Sequence, residues 1–269
     1  MIDLHSHLLP GVDDGPEGMR EALDMARRAV ESGVSIQACT PHMHPRYPTK
    51  LAAVADGIAT LEGELARREI PLRLVPGAEI DMGFYRTMDD EELARASLGG
   101  GRWLLIEMPL SGWPLDLPDL LSDAELRGFR VLLAHPERAS SVQANPDRLR
   151  DAVGRGALCQ ITASSFSGGH GPRARSTAVT LVRLGMGHVL ATDAHGARRR
   201  PPDLDEGLAA AAEALDVPVA SLGWMVQEGP EAILAGEDAR PPRFSRWPKP
   251  RTPVSDPEEP PGRPRPTGR

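Results

Sequence analysis

Short apolar runs alternate with longer segments of helical periodicity along most of the chain. Seven apolar runs predict strands, and these end at His5, Thr40, Glu79, Glu107, Ala134, Thr162 and Thr192. The segments with helical periodicity are 16–32, 51–68, 115–127, 146–155, 175–184 and 204–215. Strands that are each followed by a helix predict a parallel sheet covered on both faces. Closure into a barrel would remove the sheet edges, although an open sheet also fits the pattern.

Length and composition exclude several classes of protein. A chain of 269 residues is long enough for one large α/β barrel domain. It has no apolar run near the ~20 residues of a membrane helix, so we expect no membrane insertion. The net charge of −7 argues against non-specific nucleic-acid binding. Two cysteines and the lack of a signal-peptide pattern in the first residues predict a reduced, cytoplasmic protein.

The last thirty residues differ in composition from the rest of the chain. Residues 240–269 hold 10 of the 27 prolines and carry a net charge of +5, which leaves −12 on residues 1–239. We therefore predict a folded domain over 1–238 and a disordered, Pro/Arg-rich tail over 239–269. The tail is interpreted either as a solvated extension or as a segment that docks on aromatic grooves or anionic surfaces.

Side chains of the kinds that bind metal ions follow six of the seven predicted strands. The carboxyl ends of parallel strands meet on one side of the fold, where the loops build active sites. Residues far apart in sequence are therefore expected to converge there. The candidates are His5, His7, Asp13, Asp14, His42, Glu79, Glu107, His135, Asp193 and His195.

The spacing and chemistry of this set favour a metal centre. Side chains two residues apart on a strand point the same way, so His5 and His7 can share an ion. Imidazole and carboxylate ligands without thiolate suit manganese, zinc or iron and exclude a cysteine-rich structural zinc site. Each residue alone is also explained as an ion-pair partner or helix cap, and for Asp13 a turn is the favoured interpretation. The complete set at successive strand ends favours metal binding.

Seven short motifs contain the candidate residues or lie at the predicted strand ends. They are Asp3-Leu4-His5-Ser6-His7 with Asp13-Asp14-Gly15-Pro16, Thr40-Pro41-His42, Gly77-Ala78-Glu79-Ile80, Leu105-Ile106-Glu107, Ala134-His135-Pro136-Glu137-Arg138, Thr162-Ala163-Ser164-Ser165 and Thr192-Asp193-Ala194-His195. In order, and over about residues 1–236, they resemble the motifs of the PHP (polymerase and histidinol phosphatase) superfamily. Within it, the similarity is greatest to bacterial metal-dependent protein-tyrosine phosphatases of capsule and exopolysaccharide systems.

The resemblance implies a distorted (β/α)7 TIM-like barrel, the PHP fold, with three metal ions, most often Mn²⁺, at the carboxyl ends of the strands. Zn²⁺ or iron remain alternatives. It also implies a phosphotyrosine protein as the substrate, in particular a bacterial tyrosine kinase, while the oligomeric state stays open. The implied ligand sets are His5, His7, Glu79 and Asp193 for the first ion, Glu79, Glu107 and His135 for the second, and Asp14, His42 and His195 for the third.

The implied mechanism needs no side-chain nucleophile. Clustered divalent ions lower the pKa of a bridging water, and the resulting hydroxide attacks phosphorus in line. The Cys-x5-Arg spacing of thiol-dependent phosphatases occurs at neither Cys39 nor Cys159. Arg138 and Arg200 are the predicted phosphate-binding residues, because guanidinium matches phosphate geometry. The alternative is a structural ion pair for Arg138 and a solvated loop around Arg200.

Two other functions fit the same residues. One is a different phosphoesterase of this superfamily, such as a histidinol-phosphatase-like enzyme. The other is an inactive metal-binding module that recruits a partner through its tail. A relative that has lost activity has no need of a complete ligand set, so the presence of all nine ligand-type residues favours an enzyme. The residues that follow His42, and Ala139 after Arg138, depart from the family pattern near the predicted substrate mouth.

Overall fold

Parallel strands alternate with helices in the computed structural model, which describes residues 1–239. Each of the seven predicted strands has a counterpart. The strands are β1 (Ile2–Asp3), β2 (Ile36–Cys39), β3 (His42–His44), β4 (Tyr47–Pro48), β5 (Arg73–Pro76), β6 (Glu79–Asp81), β7 (Trp103–Glu107), β8 (Arg130–Ala134), β9 (Leu158–Thr162) and β10 (Val189–Ala191).

The helices lie between the strands, and most follow the predicted segments. The helix predicted over 146–155 is instead a 3₁₀ turn followed by one short helix, because Pro146 starts the turn and Gly156 ends the segment. The helices are α1 (Met19–Glu31), α2 (Leu51–Arg67), α3 (Met82–Tyr85), α4 (Asp90–Ala96), α5 (Leu117–Leu126), α6 (Ser140–Ala144), α7 (Arg150–Gly154), α8 (Ala163–Phe166), α9 (Gly171–Arg183), α10 (Leu204–Leu215) and α11 (Glu228–Leu234), with 3₁₀ turns at Leu98–Gly100, Pro136–Arg138, Pro146–Leu149 and Val219–Met225.

The strands form two sheets within residues 1–239. One sheet has the order β1-β2-β5, and the other has the order β10-β9-β8-β7-β6-β3-β4. Each strand pair is parallel except β3–β4, a short hairpin that the sequence pattern did not predict. The predicted α/β class with parallel strands is therefore confirmed. These pairings of the described strands do not form one closed barrel.

The chain passes from one sheet to the other at two short connections. β2 is followed by β3 across Pro41, and β5 is followed by β6 across Gly77. Pro41 has no N–H to donate to a ladder, which favours a break there. A Cβ on Gly77 would lie 3.0 Å from a methyl of Leu98 and 3.1 Å from one of Thr40, so the break is closely packed. Both breaks lie just before residues with ligand-type side chains.

The first and last strands are neighbours beyond their assigned ends. The amide of His7 donates to the carbonyl of Ala194 at 2.8 Å, and that of Asp193 donates to the carbonyl of His5 at 2.8 Å. An isolated parallel bridge joins Ser6 to Ala194. These contacts bring the two ends of the strand series together at the carboxyl-terminal side of the fold.

The central strands are buried on both faces. In β7, Leu104 and Ile106 belong to one apolar cluster, while Trp103 and Leu105 belong to a second. This alternation fits a strand covered on both sides. On the outside, α10 approaches α8 so closely that a Cβ on Gly207 would lie 2.3 Å from that of Ala163. Only glycine permits that distance.

Two further sequence predictions concern membrane insertion and the tail of the chain. Within residues 1–239, no helix combines the length and the apolar character that a membrane crossing requires. The predicted disordered tail lies, apart from Ala239, outside the described residues. Ala239 itself is buried in the second apolar cluster.

His188, just before β10, makes folding stability depend on pH. Its buried Nδ1 accepts a hydrogen bond from the amide of Cys159 at 3.0 Å. Burial lowers the pKa of His188 from 6.5 to about 4, so the unfolded chain binds this proton more readily than the folded one. Its contribution to stability is complete above about pH 6.5 and is lost as the pH falls toward 4.

We expect His188→Asn to remove this dependence, because an amide oxygen replaces Nδ1 without adding a titratable group. Between pH 7 and pH 5, the free energy of unfolding of the original chain should fall by about 2 kcal/mol more than that of the variant. Urea unfolding in the presence of a chelator measures the difference. Parallel curves for the two proteins over that interval would contradict the assignment.

Candidate metal centre

The nine residues implied as ligands follow β1, β2, β5, β8 and β10 or end β7. They are His5 and His7 after β1, Asp14 in the following loop, His42 at the start of β3, Glu79 at the start of β6, Glu107 at the end of β7, His135 after β8, and Asp193 and His195 after β10. Their convergence follows from the parallel order of the strands, as expected.

The backbone around the site is strained at three positions. His135, Asp193 and Arg200 have φ values of 31°, 52° and 56°, in the left-handed region that side chains other than glycine rarely adopt. Among residues 1–239, only Glu69 and Asp216 are further non-glycine residues with positive φ. Backbone strain of this kind persists where the surrounding structure enforces it and is concentrated at functional sites.

Four buried side chains form the first group of donors. The Nε2 atoms of His5 and His7 both lie 3.3 Å from Oε2 of Glu79. The same two nitrogens lie 3.4 Å and 3.5 Å from Oδ1 of Asp193. Two imidazoles and two carboxylates thus surround one point, and each side chain is at most 1% exposed. These are the residues that the resemblance implies for the first ion.

Glu79 connects this group to a second set of donors. Its Oε1 lies 2.7 Å from Nε2 of His135, and its Oε2 lies 2.9 Å from Nδ1 of His42. Glu107 is 3.8 Å from the same His135 nitrogen. Single donor atoms of His42, Glu79 and Glu107 also lie within 4.8 Å of one another. The geometry therefore brings His42 next to the implied second set as well as the third.

The third group lies toward the opening of the site. Oδ1 of Asp14 lies 3.3 Å from Nε2 of His195 and 3.5 Å from Nε2 of His42. His7 completes a group whose donor atoms lie within 4.8 Å of one another. Asp14 is the most exposed of the four, with 44% of its side chain accessible. This end of the cluster is therefore the one open to solvent.

Buried donor atoms without partners show that the cluster fits cations. Buried polar atoms normally make hydrogen bonds, and isolated ones are costly. Five donor atoms here are buried and make no hydrogen bond of normal geometry among the described residues, and they point into the same space. They are Nε2 of His5, His7 and His195, Oε2 of Glu79 and Oδ1 of Asp193. Divalent ions would provide the missing partners, since these are the ligand types that manganese, zinc and iron accept.

Residues behind the ligands fix the orientation of three imidazoles. Nδ1 of His5 lies 2.9 Å from Oε1 of Gln160, and Nδ1 of His7 lies 2.6 Å from Oδ2 of Asp13. Nδ1 of His195 lies 2.9 Å from the backbone oxygen of Asp193. Because each partner can only accept, the proton belongs on Nδ1 and the lone pair of Nε2 faces the cluster.

Sequence reasoning missed two of these supporting residues. Asp13 does accept from the amide of Gly15 at 3.0 Å, which is the predicted turn, but its other oxygen serves His7 and the amide of His42. Gln160 lies in β9 and also accepts the amide of His135 at 3.1 Å. A signal existed for Gln160, since it is a polar side chain inside an otherwise apolar strand.

The electrostatics of the cluster also favour bound cations. Burial, together with the negative charge of Glu79, raises the pKa of Glu107 to about 7. For Glu79 itself, burial is outweighed by the charge of His5, the hydrogen bond from His135 and the nearby imidazole of His42, which lower its pKa. Carboxylates packed this closely resist ionisation together unless positive charge compensates them. Divalent ions would supply that charge.

Arg138 and Arg200 both approach Asp193 from the side opposite the imidazoles. Arg138 Nη1 donates to Oδ2 of Asp193 at 2.7 Å, and Arg200 Nη2 donates to the same oxygen. Their side chains are 19% and 28% exposed. We call the nine ligand-type side chains the donor cluster, after the atoms that they would offer to a metal ion. Asp193 directs one oxygen at this cluster and the other at two guanidinium groups, so both predicted arginines lie at the edge of the site.

The two cysteines are not reactive thiols. Cys39 and Cys159 are fully buried, and burial raises the pKa of both thiols. A thiol in such surroundings is protonated and a poor nucleophile. The site therefore contains no activated thiol among the described residues.

A parallel α/β fold with clustered imidazoles and carboxylates at its strand ends defines a class of metal-dependent hydrolases. The chain belongs to the CpsB/CapC family of capsular polysaccharide synthesis, whose sequence profile matches residues 1–225. The chain is 32% identical over 238 residues to the tyrosine-protein phosphatase YwqE of Bacillus subtilis, covering 88% of this chain and 92% of that protein. It is 31% identical over 202 residues to the putative tyrosine-protein phosphatase CapC of Staphylococcus aureus, covering 75% and 79%.

Solved structures agree with this assignment. The match to a crystal structure of YwqE from Bacillus subtilis and CpsB from Streptococcus pneumoniae, described as metal-dependent tyrosine phosphatases, has a TM-score of 0.79 and 30% identity. It covers 90% of this chain and 100% of the other. A β-aspartyl dipeptidase of Fervidobacterium islandicum matches with a TM-score of 0.53 at 14% identity, which indicates a common fold alone.

Proposed function

We propose that this chain is a metal-dependent tyrosine-protein phosphatase, and that the nine clustered residues hold its ions. The observation that carries the proposal is the set of five buried donor atoms that face one space without hydrogen-bond partners. The named activity of the family's curated members supports it. We further propose Mn²⁺ as the metal, three ions as the number and a tyrosine kinase of polysaccharide synthesis as the substrate.

The proposal also concerns the architecture. We infer that the two sheets are parts of one distorted (β/α)7 barrel. The passage of the chain between the sheets at Pro41 and Gly77 distorts it, and the hydrogen bonds of His5 and His7 with the segment after β10 support its closure. In that arrangement the donor cluster lies at the carboxyl-terminal mouth, where barrel enzymes have their active sites.

The chain's own residues orient the ligands and the substrate for this reaction. Divalent ions held by the donor cluster would supply Lewis acidity, which would lower the pKa of bound water and offset phosphoryl charge. Gln160 and Asp13 hold His5 and His7 in the tautomer that leaves Nε2 free. Arg138 and Arg200 bind phosphoryl oxygens with charged donors as the substrate enters. The solvent-open end near Asp14 admits the phosphate ester.

Metal removal tests the function directly. We expect chelator-treated protein to lose hydrolysis of a phosphotyrosine peptide almost completely, and Mn²⁺ to restore it, because the ions activate the water. Free phosphate release measures the rate, and histidinol phosphate serves as the competing substrate. Cys39→Ser and Cys159→Ser provide matched controls that should retain metal-dependent turnover. Full activity after chelation, or loss of activity in both cysteine variants with the fold intact, would contradict the proposal.

A further inference from the structure

One cavity connects the donor cluster to solvent. It has a volume of about 500 Å³, within the ~300–1,000 Å³ range of small-molecule sites. Three of the proposed ligands, Asp14, His42 and Glu107, line it. The rest of its lining comes from His44, Arg46 and Tyr47 of the β3–β4 hairpin, from Asp81 and from the segment 108–111. A phosphate ester bound at the cluster can therefore extend its leaving group into this cavity.

Tyr47 is the aromatic side chain that lines this cavity beside the cluster. Its ring lies 5.4 Å from that of His42 with an angle of 14° between the planes, so the two are stacked. Tyr47 is half-buried, and its ring borders the cavity as well as His42. Pro109 and Leu110 also line the cavity, and 45% of Leu110 is exposed. The lining thus includes one tyrosine ring and two apolar side chains beside its polar and charged residues.

The Tyr47 ring beside His42 favours an aryl group over an alkyl group. Tyrosine carries its phosphate at the far end of a rigid ring, whereas serine carries it next to the backbone. With the phosphate at the donor cluster, a tyrosyl ring would extend into the cavity that Tyr47 and Leu110 line, while a seryl residue has no ring to contact them. Aromatic pairs gain stability from offset or edge contacts beyond the area they bury.

We propose that Tyr47 is a specificity-determining residue, which selects aryl phosphates by contacting the ring of the substrate tyrosine. This inference rests on the proposed phosphatase function and adds the surface that recognises the leaving group. Tyr47 makes this contact from the outer side of the cavity and takes no part in the chemical step.

Direct binding to the Mn²⁺-loaded full chain tests this proposal without requiring turnover. The probes are phenylphosphonate and methylphosphonate, which share the phosphoryl group and differ in the ring. For Tyr47→Leu we expect phenylphosphonate to bind about fivefold to tenfold more weakly, with methylphosphonate unchanged. Tyr47→Phe keeps the ring and should bind both probes as the original chain does. Circular dichroism and the bound manganese content establish that both variants are folded and loaded.

Any other result for Tyr47→Leu overturns the proposal. Equal weakening for both probes, or reduced manganese in Tyr47→Leu, would mean that Tyr47 acts only by supporting His42. Unchanged binding of both probes would mean that the ring makes no contact. If the original chain binds phenylphosphonate preferentially but releases no phosphate from a phosphotyrosine peptide, the proposed function fails while the recognition of the ring stands.

Discussion

Replacement of Glu79 by glutamine is expected to reduce turnover of a phosphotyrosine peptide by about a thousandfold and to lower the bound manganese. Glu79 is fully buried and contacts four imidazoles, with distances between 2.7 Å and 3.3 Å. Glutamine has nearly the same shape but lacks the charge. Loss of that charge weakens every cation site that shares this residue, and the proposed first and second sites both do.

The measurement combines steady-state kinetics with metal analysis of the purified variant. Glu125→Gln is a matched control, since it makes the same chemical change in a side chain that is 66% exposed and paired with Arg130 at 3.5 Å. It should retain full activity and metal. If Glu79→Gln kept normal manganese and turnover within a few-fold of the original, the donor cluster would not be the catalytic centre.

Removal of Arg138 and Arg200 together should weaken phosphate binding by at least about a hundredfold while leaving the metal content intact. Each guanidinium offers charged hydrogen bonds, and each such bond contributes about 1.5–3 kcal/mol. Both donate to the oxygen of Asp193 that faces away from the imidazoles, so their loss leaves the donor cluster in place. Inhibition by inorganic phosphate measures the effect.

The single variants Arg138→Ala and Arg200→Ala complete a double-mutant cycle, which separates the two contributions. Arg138→Lys keeps the charge but loses the planar fork, so it should recover only part of the affinity. An unchanged inhibition constant in the double variant would assign both arginines to structural pairing with Asp193 instead. Reduced manganese would indicate that they act through Asp193 on the cluster.

The parts of the fold that sequence predicted well are those with strong local patterns. The buried runs of β7, β8 and β9 end within a residue of their predicted ends, because a strand covered on both faces is apolar throughout. Helix α10 matches its predicted range, since its apolar face repeats regularly over twelve residues. The β3–β4 hairpin was missed because it is short, polar and bounded by prolines.

For the site, the residue types at strand ends indicated which side chains could bind metal ions. The orientation of those side chains depends on tertiary contacts. Sequence spacing predicted that His5 and His7 point the same way, and both do face Glu79 and Asp193. The role of Asp13 could not be found locally, because the turn it makes with Gly15 already explains its presence. Its contact with His7 exists only after the loop folds back over the strand.

The segments after the first and last strands meet at one pocket, and this has a consequence for biosynthesis. His5 and His7 leave the ribosome about 190 residues before His195, and the proposed metal centre needs all of them. An unfinished chain therefore lacks part of the proposed ligand set, and we expect it to bind cations more weakly than the complete domain. Tight ion binding would then follow synthesis of residues 193–195, and a bound ion would link the segment after the first strand to the segment after the last one.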